Sequence, residues 1–230
     1  QEELNKTKEQ EQAEINKETQ RKLDKLKKFS MMDDKFYDCT FENYEIDEDN
    51  KKLYKFALKY CNHWEEMYHE NIGVMFLGSQ GIGKSYTSFA IANRLLANMV
   101  PVIAISTIGL LDKIKTTYSK FGNEGESEIL HQLSNAKLLI LDDLGVENDT
   151  AWAKEKLYEI IDTRDRQGKP LIVTTNLTKE QLQNKLTGSD GVNRTYDRLI
   201  KMCQPIEVKG TSKRIDEAKR KEEVLRKILY

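Results

Sequence analysis

Short continuous apolar runs alternate along this chain with stretches whose apolar residues recur at helical spacing, and that alternation predicts most of its elements. The runs at 72–77, 100–105, 138–141, 170–175 and 206–208 read as five strands. Helices are predicted at 50–70, where Leu53, Phe56, Ala57, Tyr60 and Trp64 share a face, at 84–99, 108–121, 128–135, 151–166 and 192–202, and from Ser212 onward. A Gly/Glu/Ser loop is expected between the helices at 108–121 and 128–135. Gly168 closes the helix at 151–166, and Thr178 with Gln181 forms a capping-box pair that opens a further short helix. Strands that are apolar throughout and separated by helices indicate a parallel sheet covered on both faces. Ligands of such sheets sit at the carboxyl ends of the strands.

The ends of the chain read differently. Residues 1–28 are almost entirely Glu, Gln, Lys, Asn and Thr, the pattern of a charged helix or linker, and a domain boundary is expected near Phe29 with one domain over 29–230. Residues 30–49, with Phe36, Tyr37, Phe41 and Tyr44 among acids, read as an irregular lead-in. The 230 residues suffice for one α/β domain with appendages. A net charge of -1 argues neither for nor against nucleic acid, although the tail from Lys209 onward is rich in Lys and Arg. Three cysteines far apart, with no C-x-x-C pair, fit a reducing compartment. The apolar runs are too short to span a bilayer, so a cytoplasmic protein with no membrane partner is expected. A chain that starts at Gln1 is expected to be a fragment or a processed product.

The chemistry centres on Gly78-Ser79-Gln80-Gly81-Ile82-Gly83-Lys84-Ser85, which satisfies G-x-x-x-x-G-K-[ST] between an apolar run and a helical one. Its glycines let successive N–H groups face a phosphate, to which the following helix turns its positive end. Lys84 suits the β- and γ-phosphates of ATP and Ser85 suits Mg²⁺; Tyr86 follows directly and is taken with the nucleotide site. The strand at 138–141 ends in Asp142 and Asp143. Asp142 is placed to partner the metal, and Asp143 to orient the attacking water or accept its proton. Asn176 follows the next strand and can hold that water or report the γ-phosphate. Arg194 and Arg198, four apart on one helix, can supply charge to a neighbouring subunit's transition state, and Arg214 can reach the γ-phosphate of its own subunit.

Taken in order, Gly78 to Ser85, LLILDDLG at 138–145, LIVTTN at 171–176, RTYDRL at 194–199 and GTSKR at 210–214 resemble the DnaC/DnaI-type helicase loaders of the AAA+ superfamily, as does CTFENY at 39–44. The related IstB transposition helpers share most of these motifs. The resemblance implies a five-stranded parallel sheet of order 5-1-4-3-2 with helices on both faces; because only sixteen residues follow Arg214, too few for the helical lid common in the superfamily, a reduced or absent lid is expected as a departure from it. It implies ATP hydrolysis with Mg²⁺, slow until a partner completes the site, with Asn176 as sensor 1, Arg214 as sensor 2 and a finger in the RTYDRL box, Arg198 before Arg194. It also implies a hexameric replicative helicase and single-stranded DNA as partners, a homo-oligomer or a ring assembly on the helicase, and a role in replication. The resemblance makes 138–143 the Walker B segment, and in this family the helices between the second strand and that segment contact single-stranded DNA; here they offer Lys113, Lys115, Tyr118, Lys120 and Phe121. The helicase-binding module that such loaders carry is expected upstream of Gln1. An IstB-like helper acting on duplex DNA is the nearest rival, followed by a P-loop kinase and by a nucleotide-gated binding module without turnover.

Overall fold

The computed structural model describes residues 2–188 and 190–229, so that Gln1, the first residue of the expected N-terminal segment, lies outside the described residues. The apolar runs form one parallel sheet of β1 (Gly73–Leu77), β2 (Val102–Ser106), β3 (Leu138–Asp142), β4 (Leu171–Thr175) and β5 (Cys203–Glu207). Their order is β2-β3-β4-β1-β5, the expected order read from the other edge. Register places Phe76 opposite Thr174 and Ile206, and Ile140 opposite Ile172. Because side chains alternate along a strand, Val74, Phe76, Leu138, Ile140 and Ile172 enter one core and Met75, Leu77, Leu139, Leu141 and Val173 the other. The first core is closed by α2 (Lys51–Asn62) and α4 (Lys84–Ala97), through residues such as Ala57, Tyr60, Phe89 and Leu95. The second is closed by α5 (Thr107–Asn135), α6 (Ala151–Gln167), α7 (Lys179–Leu186) and α8 (Arg194–Met202), through Ile114, Ile161, Leu182 and Leu199.

Three elements depart from the sequence pattern. The helix predicted at 50–70 is divided, with a short helix at Trp64–His69 after a break at His63 (φ -106, ψ 27). The loop expected after residue 121 is compressed to a kink inside α5, where Gly122 (φ 62, ψ -148) takes a conformation open to glycine and Gly125 packs where a Cβ would meet Thr117 O at 2.8 Å. The last strand begins at Cys203 rather than Ile206. Gln204 and Pro205 are exposed, so no apolar run announces them, and Pro205 is tolerated because β5 is an edge strand.

The opposite edge is covered by the end of the N-terminal helix (Glu2–Phe29): Leu26 packs on the first core, and the buried Ser30 just beyond accepts the Ala104 N–H of β2 at 2.9 Å. This contact leaves β2 less free to pair with another strand. After β5, one helix follows among the described residues, α9 (Lys213–Leu229).

At the end of the sheet away from the strands' carboxyl termini lies Arg164 of α6, 1% exposed. Its Nη1 donates to Leu133 O and Ala136 O and its Nη2 to Lys137 O and Pro170 O, at 2.8–3.1 Å, tying the end of α5 to the entries of β3 and β4. Burial lowers the guanidinium pKa to about 9, still above neutrality, so the cation persists and the four carbonyls stand in for water. Arg164→Leu strands those carbonyls and is expected to cost about 3 kcal/mol, or roughly 6–12 °C in thermal unfolding. A shift under about 2 °C in a melting experiment would contradict this role.

Candidate nucleotide-binding site

The strands' carboxyl ends open into a cleft of about 500 Å³ lined by Gln80, Gly81, Gly83, Lys84, Ser85, Tyr86, Asp143, Asn176 and Arg214. The turn that shapes it depends on its glycines. Gly78, Gly81 and Gly83 have φ of 146, 80 and 95, and a Cβ on Gly81 would meet Ser212 Oγ. Ile82 is buried beneath the turn and anchors it in the core, and Gly83 caps the start of α4 so that the helix N-terminus faces the cleft.

Lys84 is 4% exposed, and its ammonium donates to Gly78 O at 2.7 Å, Ser79 O at 2.6 Å and Asn176 Oδ1 at 2.7 Å. Burial holds its pKa below the usual lysine value; Asp143 and Asp142 oppose that shift, and Arg214 adds to it. The other end of the Asn176 amide donates to Asp143 Oδ1 at 3.2 Å. A continuous polar path therefore runs from the phosphate-binding loop through the end of β4 to the residue after β3. Asp143 adopts φ 55, and its N–H donates to Thr174 Oγ1 at 2.9 Å. That left-handed backbone conformation is uncommon for a residue with a side chain.

Asp142 lies behind Asp143, 4% exposed. Burial raises its pKa, while hydrogen bonds from Thr174, at 2.6 Å, and from Ser85 act against the rise. A buried carboxylate beside a hydroxyl is a hard oxygen pair of the kind that partners Mg²⁺, and a cation there would remove the penalty on the charged form. Among the described residues no group of three or more His, Cys, Asp or Glu side chains could by itself hold a metal, so a cation would draw its further ligands from phosphate oxygens and water.

The cleft has a second wall, whose Asn43, Tyr44 and Lys213 fall in the CTFENY and GTSKR segments without having been expected at the site. Asn43, Tyr44 and Glu45 of the lead-in form it, with Asn50 at the start of α2 and Lys213. The Tyr44 hydroxyl is hydrogen-bonded to Thr87 Oγ1 at 2.7 Å, and the ring meets Tyr86 edge-on at 5.0 Å between centroids. Lys213 donates from its backbone to Gly81 O and from Nζ to Glu45 O, and pairs with Asp47 at 2.9 Å, so the start of α9 is strapped across the loop. The CTFENY and GTSKR segments hint at this wall, but its parts are remote in sequence from the glycine-rich turn, so their meeting there is not legible from spacing.

Arg194 and Arg198 do not reach this cleft. Arg194 pairs with Asp190 on the surface, and Arg198 lies against α6. Lys113, Lys115, Tyr118, Lys120 and Phe121 are all exposed on α5 outside the cleft, with Tyr118 and Phe121 at 51% and 68%.

Residues 1–221 match the family model described as IstB-like ATP binding protein. The replicative helicase loader DnaC of Escherichia coli K12 is 30% identical over 162 residues, 70% of this chain and 62% of that protein. The chain spans about three fifths of the length of the curated relatives it matches. Among solved structures, one of DnaI superposes with a TM-score of 0.64 at 27% identity, covering 79% of this chain and 93% of the other. One of the DnaC helicase loader superposes with a TM-score of 0.65 at 20% identity, covering 77% and 100%, which supports the fold alone.

Proposed function

The chain belongs to the family of IstB-like ATP-binding proteins, and from that premise we propose that it is the ATPase part of a DnaC/DnaI-type loader that places a hexameric replicative helicase on single-stranded DNA. The observation that carries this reading is the bonded path Lys84–Asn176–Asp143, which links the phosphate loop to the group that would handle the attacking water. On this reading residues 29–230 form the AAA+ ATPase domain and the preceding charged helix leads toward a helicase-binding module.

Lys84 and the loop N–H groups hold the β- and γ-phosphates. Ser85 and Asp142 would hold Mg²⁺, which supplies charge neutralisation between those phosphates. Asp143 orients water for in-line attack on the γ-phosphorus and receives its proton as the bond from that phosphorus to the β,γ-bridging oxygen breaks and ADP leaves, with Asn176 fixing the carboxylate and Arg214 meeting the γ-phosphate from the rim. When Lys84 turns to phosphate its bond to Asn176 is exchanged, so the amide carries the nucleotide state to Asp143. Arg198, with Arg194 beside it, serves the cleft of a neighbouring copy, and turnover is slow until that copy is in place. Lys113, Lys115, Tyr118, Lys120 and Phe121 present cations and aromatic faces to single-stranded DNA. Among the described residues no helix is long and apolar enough to cross a membrane, and the proposed setting is the cytoplasm.

The family's description, IstB-like ATP binding protein, leaves room for a second reading, an IstB-like helper, for which duplex DNA would be the substrate. A loading assay separates the two. The full-length protein is incubated with its host's hexameric replicative helicase, ATP and a circular single strand, and helicase retained on the circle is measured. Retention that requires both protein and ATP supports the loader. Absence of retention together with preferential binding of duplex DNA contradicts it and favours the helper.

A further inference from the structure

The surroundings of Arg198 hold more structure than an exposed cation needs. Its Nε forms an ion pair with Asp162 Oδ1 at 2.6 Å, its guanidinium lies 4.9 Å from the centroid of the Tyr158 ring, and its Nη1 donates to Arg194 O at 3.3 Å. Asp162 and Tyr158 stand four residues apart on α6, which presents both to α8. The Asp162 side chain is 14% exposed; its Oδ1 is fully buried and makes no aligned hydrogen bond, so its contact with Arg198 is one of charge and proximity, while its Oδ2 pairs with Arg166 Nε at 2.7 Å. A buried carboxylate oxygen has lost its water and depends on the guanidinium it faces. Arg194 differs: its side chain is 54% exposed and its partner, Asp190, lies in a surface loop.

We propose that Asp162 is the positioning residue for Arg198, holding its Nε edge so that the guanidinium is presented in one orientation to a phosphate of a neighbouring copy; this rests on the reading of Arg198 as the finger. Fixing the plane of a guanidinium before it meets phosphate preserves its two-pronged geometry and leaves less side-chain freedom to lose. The charge is not cancelled, because the one carboxylate is shared with Arg166 as well as Arg198, and the cluster of the three stays net positive. Tyr158 fixes the plane from its face.

A second inter-helix pair provides the control. Lys201 of α8 and Asp165 of α6 are bridged at 2.9 Å, linking the same two helices without touching Arg198. The experiment measures kcat and KM for ATP, in the presence of single-stranded DNA, for the native protein and for Arg198→Ala, Asp162→Asn, Asp162→Glu, Asp165→Asn and the double variant Asp162→Asn/Arg198→Ala.

Asp162→Asn is expected to lower kcat by about 10- to 100-fold with KM unchanged, the loss typical of a misplaced reacting group. Asp162→Glu, which keeps the charge but moves it by a methylene, is expected to fall between it and the native protein. The double variant should be no slower than Arg198→Ala alone, since both changes act through one group, and Asp165→Asn should retain native kcat. An unchanged kcat in Asp162→Asn would overturn the proposal. So would a raised one, which would make Asp162 a latch, or an equal loss in Asp165→Asn, which would reduce the pair to helix docking. Should Asp162→Asn fail to fold, native kcat in Asp162→Glu would overturn it instead. Native turnover in Arg198→Ala removes the finger reading itself and this inference with it, whereas a slow Arg198→Ala beside a normal Asp162→Asn defeats this inference alone.

Discussion

Replacing Lys84 with alanine is expected to lower ATP turnover by about 10²- to 10³-fold, the scale of losing a preorganised charged donor at a phosphate. The structure gives the reason for so large an effect. The ammonium is buried and already gathered by three oxygens at the floor of the cleft, two from the loop and one from Asn176. It meets phosphate without first being stripped of water, and burial, which disfavours its charge in the free protein, makes an arriving anion more welcome. Alanine also leaves Asn176 tied only to Asp143, so the Lys84–Asn176–Asp143 path is lost along with the cation. Stability should change little, by about 1 kcal/mol, because water can enter the open cleft and satisfy the two loop carbonyls. Titration with a fluorescent ATP analogue, together with phosphate release, checks both halves. Native affinity in Lys84→Ala would show that nucleotide binds elsewhere.

Arg198→Ala is expected to lower turnover by about 10³-fold, as for removal of an arginine finger, and to leave ATP affinity unaltered. The separation of the two quantities follows from position. Arg198 sits on α8 against α6, outside the cleft of its own subunit, and so does not contribute to binding there. It can act only where a second copy brings its own cleft to that face, and then only on charge that develops during the reaction. A pre-steady-state measurement of ATP binding beside steady-state phosphate release separates them. Equal loss in both would place the effect in folding or binding.

Much of the fold was legible in the sequence. The strands β1, β3 and β4 are mostly apolar and buried on both faces, which leaves little choice but a covered parallel sheet, and the glycines of the loop fall between β1 and α4 as the motif requires. Thr178 and Gln181 do form the reciprocal cap. What escaped the pattern has physical reasons. The start of β5 is an edge whose Gln204 and Pro205 face solvent, so burial left no mark on its sequence. Gly122 allowed a kink where a glycine among polar residues reads as a loop. Arg164 and Asp162 carry charges, which in a sequence read as surface, yet tertiary packing buries the first and most of the second. Tyr44, Asn50 and Lys213 meet at the cleft from segments more than 160 residues apart in the extreme case of Lys213 and Glu45, a proximity no local period encodes.

The central claim is that this chain hydrolyses ATP at a site made by two copies, one giving the cleft and the other Arg198. Mixing Lys84→Ala protein with Arg198→Ala protein tests it most directly. The first variant has a finger but no working cleft, and the second a cleft but no finger. Phosphate release is measured for each variant alone and for the equimolar mixture, with single-stranded DNA present. The account predicts that each alone is nearly inactive and that the mixture recovers a substantial fraction of native turnover; a mixture as inactive as its two components would contradict it.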